Sequence, residues 1–128
     1  MSRAFVIVGA LFGLLAVLFG AFGAHGLSTR VTPERLAIWH TAAHYLGWHA
    51  TTLLALGLGG ARLRSDRLAR AAGLCLAAGS LIFSGSLFIL VLSDQAAWGA
   101  VTPIGGVLLG LGWALLVIAA VVGRPAAD

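Results

Sequence analysis

Four long apolar runs, none interrupted by an acidic or basic side chain, fill nearly all of this 128-residue chain, and they leave a lipid bilayer as the solvent in which it folds. Each run reaches or exceeds the roughly 20 residues that a helix rising about 1.5 Å per residue needs to cross about 30 Å of hydrocarbon. Composition agrees, because only 9% of the residues are charged where soluble domains carry about 25%. A mean hydropathy of +1.03 excludes an ordinary soluble core. A chain this short has material for four crossings and their turns, so residues 1–128 read as a single transmembrane domain.

The expected fold is an all-α, integral membrane four-helix bundle with spans at approximately residues 4–24, 36–60, 70–92 and 102–122. Thr32, Pro33 and Glu34 make a helix-start signal: a hydroxyl cap, a proline at the first helical position and an acid near the positive end of the dipole. Thr102 and Pro103 repeat it, with a proline kink in a helix starting near Trp98 as the alternative. Arg3 and the small residues Ala21, Gly23 and Ala24 around the first run also suit a secretory signal peptide. The run is longer than the about 7–15 residue signal core and three spans follow it, so it reads as a crossing.

With four crossings, Arg3, Arg62, Arg64, Arg67, Arg70 and Arg124 fall on one side and Arg30 and Arg35 on the other. Positive charge collects on the cytoplasmic side, which puts both termini inside, Glu34 and Asp94 outside, and Asp66 and Asp128 inside. Trp39, Trp98 and Tyr45 are expected near the outer interface, where amphipathic rings gather. The formal charge of +4 comes from arginines at segment ends. Lipid headgroups, not nucleic acid, are the anionic partner this pattern implies. The single Cys75 lies in the third run and reads as a buried, inert thiol.

The 18 glycines read as packing material, since small residues let helix backbones approach closely where lipid removes the hydrophobic drive. Gly9 and Gly13, Ser80 and Ser84, and Gly106 and Gly110 each put two small residues on one helix face. They serve packing within the bundle or a homo-oligomer face.

The candidate polar and ligand cluster is His25, His44, His49, Tyr45, Thr41, Ser84 and Ser86. His40 and His44 share a helix face at metal-recruiting spacing, while His49 lies about 140° round from His44, so the three do not converge on one ion unaided. Thr41, Tyr45 and His49 form a second stripe. His49 falls near mid-bilayer, where a neutral ring facing the bundle needs a partner such as Ser84, Ser86 or a backbone carbonyl. His25, in the turn Gly23–Gly26, reads as a helix-end residue meeting the negative dipole. Serine catalysis is excluded at Phe83-Ser84-Gly85-Ser86-Leu87, which has no nucleophile elbow and no activating acid and histidine. Asp94 reads as a solvated loop residue or helix cap.

Gly20-Ala21-Phe22-Gly23-Ala24-His25-Gly26-Leu27, the series Trp39, Thr41, Tyr45 and His49, Phe83 to Leu87, Thr102-Pro103-Ile104-Gly105-Gly106 and Gly112-Trp113 together resemble the YgdD-like family, domain of unknown function 423, which includes animal transmembrane protein 256. The resemblance covers almost the whole chain and implies a small multi-pass protein of the bacterial inner membrane without an established activity. Its histidines match His25 and His49; His40 and His44 stand outside its pattern, which weakens a metal site built on that pair.

The expectation is a non-enzymatic membrane protein without a cofactor, acting through helix contacts as a structural, assembly or membrane-integrity factor, with lipid, its own copies or other membrane proteins as partners. A metal- or haem-binding module using His25, His44 and His49 is the first alternative, with the metal unspecified. An oligomeric small-solute transporter is the second.

Overall fold

A computed structural model of the chain describes residues 2–63 and 65–122; Arg64, Arg124 and Asp128 of the orientation pattern lie outside the described residues. The elements are α1 (Arg3–Phe22), α2 (Pro33–Gly59), α3 (Asp66–Ser93) and α4 (Thr102–Val121). A π turn at Gly23–Leu27 follows α1, and short 3₁₀ turns at Gly60–Arg62 and Ala96–Ala100 precede α3 and α4. Among the described residues there is no strand.

Local chemistry sets the helix ends. Thr32 caps α2 as its pattern requires, its hydroxyl accepting from the Arg35 amide at 3.3 Å. Ser65 does the same for α3, accepting from Leu68 N at 3.4 Å. That start lies four residues before the expected Arg70 because the first turn is polar: it leaves the apolar run while staying helical, with Asp66 and Arg70 paired at 2.9 Å. Asp94 closes α3 in the left-handed region, φ 54°. Thr102 does not cap α4. The 3₁₀ turn from Ala96 runs almost directly into the helix, and Thr102 sits inside its first turn with Val101 at the cap position.

By length and apolarity three segments among the described residues can cross a membrane, Arg3–Leu27, Asp66–Ser93 and Ala96–Val121. α2 falls outside that set because three histidines, two tryptophans and several hydroxyls dilute it. It nevertheless runs the full length of its neighbours. Ser2 N donates to Gly57 O at 2.8 Å at one end, and Arg35 meets Asp94 at 3.2 Å at the other. The most polar helix is the one enclosed by α1 and α3, and it carries buried residues from Trp39 to Gly57.

α1 packs on α2, α2 on α3 and α3 on α4; among the described residues no Cα of α4 lies within 8 Å of α1 or α2. One core cluster gathers Trp39, Leu46, Phe88 and Val91. A second gathers Leu53, Leu76, Leu109 and Ala119. The α1–α2 approach is close at two glycines: a Cβ on Gly57 would stand 2.8 Å from Val6 N, and one on Gly9 would stand 2.9 Å from Ala50 O. For α3 and α4 it is closest at Gly105, where a Cβ would stand 2.8 Å from Gly79 O. Gly112 continues that contact against Leu76. Of Gly106 and Gly110, the spaced pair that suggested packing, a Cβ on the first would only touch the Phe83 ring of α3 at 3.9 Å, and one on Gly110 meets nothing within 4 Å. Gly13 is similarly loose, 3.8 Å from the Ala50 side chain.

Trp39, expected near the outer interface, turns inward near that end of α2. It is 1% exposed, with its ring against Phe19, Phe22 and Phe88. Its Nε1–H donates to Phe19 O at 2.7 Å, next to the π turn. The indole occupies the space a Cβ on Gly23 would need, 2.6 Å from Trp39 Cδ1.

Candidate functional site

Among the described residues, each helix is tied to the next by a side-chain hydrogen bond. Trp39 joins α2 to Phe19 O of α1. Ser84 Oγ donates to Ala42 O at 2.8 Å, joining α3 to α2. The hydroxyls of Ser86 and Thr102 lie 2.6 Å apart, joining α3 to α4, and Ser86 continues to Phe83 O at 3.0 Å. Such bonds across membrane helices average about 0.6 kcal/mol, reaching about 1.7, so each contributes modestly and fixes register more than it fixes stability. Ser80, one turn from Ser84, is buried with no partner for its Oγ.

A fourth tie crosses open space. His49, 3% exposed, donates from Nδ1 to Tyr45 O at 2.6 Å. Its Nε2 accepts from Trp113 Nε1 at 3.1 Å. A carbonyl can only accept and an indole N–H can only donate, so the two partners define the neutral tautomer with hydrogen on Nδ1. Both ring nitrogens are used. No lone pair is left for a metal or a substrate proton unless Trp113 first withdraws.

This tie lies about 24 Å along α2 from Pro33, roughly midway through the bundle. It spans a groove of about 520 Å³ between α2 and α4, lined by Tyr45, Trp48, His49, Phe83, Gly110 and Trp113, among others. Tyr45 stacks on Phe83 at 4.6 Å and lies 5.0 Å from the Trp48 ring. Gly106, Gly110 and Trp113 share one face of α4, so the missing side chains at the two glycines leave room for the indole to reach across. On the opposite side a second groove of about 400 Å³ runs between α1 and α2 and takes in Gly13, Gly20, His40 and His44.

The expected polar cluster is thus divided. The structure brings together Tyr45 and His49, and separately Ser86 with Thr102. His44 is exposed in the α1-side groove, its ring 6.3 Å from His40; Thr41 is exposed, and His25 is exposed in the π turn. Among the described residues no three His, Cys, Asp or Glu side chains are grouped to hold a metal ion. Trp48 escaped the sequence reading, and Trp113 entered it only within the Gly112-Trp113 motif, with no role in the site. A tryptophan in the last apolar run needs an acceptor for its N–H, and His49 needs partners of its own, so the two requirements match across 64 residues of chain.

Comparison with known proteins places this arrangement. The family described as "Protein of unknown function (DUF423)" matches residues 19–106. The chain belongs to this family. It is 40% identical over 119 residues to the UPF0382 membrane protein YwdK of Bacillus subtilis, covering 93% of this chain and 97% of that one. A UPF0382 membrane protein of Staphylococcus aureus is 42% identical, covering 91% and 94%. One of Staphylococcus epidermidis is 43% identical over the same shares. No solved structure matches. As a DUF423 protein the chain is an integral membrane protein whose solvent is the lipid bilayer, and no specific activity is established for its relatives.

Proposed function

We propose that this DUF423 protein is a non-enzymatic component of the cell inner membrane, with both termini toward the cytosol, acting through helix contacts as a structural, assembly or membrane-integrity factor. The observation that carries this is the engagement of both ring nitrogens of His49, by Tyr45 O and Trp113 Nε1. The group best suited to chemistry is used to hold the bundle. Ser84, Ser86 and Thr102 are likewise directed at neighbouring helices, while the outer faces of α1 and α4 offer apolar surface to lipid or to other helices. Arg3, Arg62, Arg67 and Arg70 at one end of the bundle support the orientation.

Reconstitution of the purified protein into liposomes tests the reading. The expected result is no flux of ions or small solutes, no Soret band and no stoichiometric metal, with photocrosslinkers on the exposed face of α1 or α4 giving discrete adducts to membrane proteins in cells. Solute flux through the protein alone, or a bound haem or metal, would overturn it.

A further inference from the structure

We propose that the cleft where the start of α1, the end of α2 and the start of α3 converge binds one anionic phospholipid, its phosphate on Arg70 and an acyl chain laid along Phe5 and Leu74. The cleft holds about 410 Å³ and is lined by Ser2, Phe5, Leu56, Arg70, Leu74 and Asp66, among others. Its shape is amphipathic. Arg70 and Leu74 are one turn apart on the same face of α3, so a headgroup seated on the first directs a chain past the second and into the hydrocarbon.

Charge selects the headgroup. Arg70 is the basic residue of the lining, and Arg3, Arg62 and Arg67, all exposed, lie at the same end of the bundle without lining the cleft. With Arg70 they give this end of the bundle four arginines among the described residues, beside the single carboxylate of Asp66. The Asp66–Arg70 pair, 2.9 Å apart and more than half exposed on both sides, does not close the site. A guanidinium has five N–H donors in a planar fork, enough to keep Asp66 and still hold a phosphate. The other end of the bundle lacks this arrangement: it has Arg30 and Arg35, and Arg35 is paired with Asp94.

The full chain in mild detergent is titrated with phosphatidylglycerol, phosphatidylcholine and glycerol phosphate, with lipid retention read by native mass spectrometry and unfolding temperature read in parallel. Phosphatidylglycerol alone is expected to be retained and to raise the unfolding temperature. At low salt Arg70→Gln is expected to weaken it about fivefold, and a further Arg62→Gln by a similar factor, while Arg30→Gln leaves it unchanged. Both variants alter exposed side chains, and an unchanged unfolding temperature without lipid verifies the fold. Equal retention of phosphatidylcholine, equal stabilisation by glycerol phosphate, or undiminished phosphatidylglycerol binding in the doubly substituted chain would overturn the proposal.

Discussion

The indole of Trp113 donates to Nε2 of His49 across 3.1 Å, joining two helices whose backbones do not meet. Trp113→Phe keeps the ring and removes the donor, leaving a desolvated acceptor on His49. The expected loss is about 1–2 kcal/mol in reversible unfolding from detergent. Combining it with His49→Phe should cost less than the two single losses added; strict additivity would show that the bond carries no coupling.

Gly23 sets the seat of Trp39. Gly23→Ala forces the indole off Phe19 O and is expected to destabilise by about 1–3 kcal/mol. Gly20→Ala, whose Cβ meets nothing within 4 Å, should stay within about 0.5 kcal/mol. Thermal unfolding of the two variants side by side checks the contrast.

The α3–α4 contact predicts an equally sharp difference between two nearby glycines. Gly105→Ala drives a methyl into the backbone of Gly79 and Phe83 and should cost about 2 kcal/mol. Gly110→Ala faces open space and should be nearly neutral. If Gly110→Ala proved the more damaging in unfolding assays, the register between these helices would be wrong.

Asp94 combines a left-handed backbone with an ion pair to Arg35, and substitutions separate the two. Asp94→Asn tolerates the backbone and removes the charge, for an expected loss under about 0.5 kcal/mol, because the carboxylate is 82% exposed. Asp94→Val keeps neither and should lose about 1–2 kcal/mol more. Unfolding at low and high salt reads both terms, with salt reducing only the smaller one.

The four apolar runs translate directly into four helices because crossing a bilayer demands length and apolarity that no other local structure shares. Thr32-Pro33-Glu34 is equally legible, since capping depends on residues three apart. The start of α3 at Asp66 is less so: hydropathy marks where hydrocarbon ends, not where hydrogen bonding along the helix does. The partners of Trp39 and Trp113 were not legible for a common reason. An indole suits an interface and a buried acceptor equally well, and the acceptors here, Phe19 O and His49 Nε2, lie 20 and 64 residues away. Likewise the Gly106 and Gly110 spacing names a face without saying which neighbour it meets; the choice between that face and Gly105 with Gly112 rests on how α4 rotates against Leu76 and Phe83.

The backbone of α4 approaches α3 alone among the helices, with Trp113 reaching α2 across the groove, so the contacts among the first three helices do not depend on it. This predicts that α4 is the last segment to dock during synthesis, with Nε2 of His49 unsatisfied until Trp113 arrives.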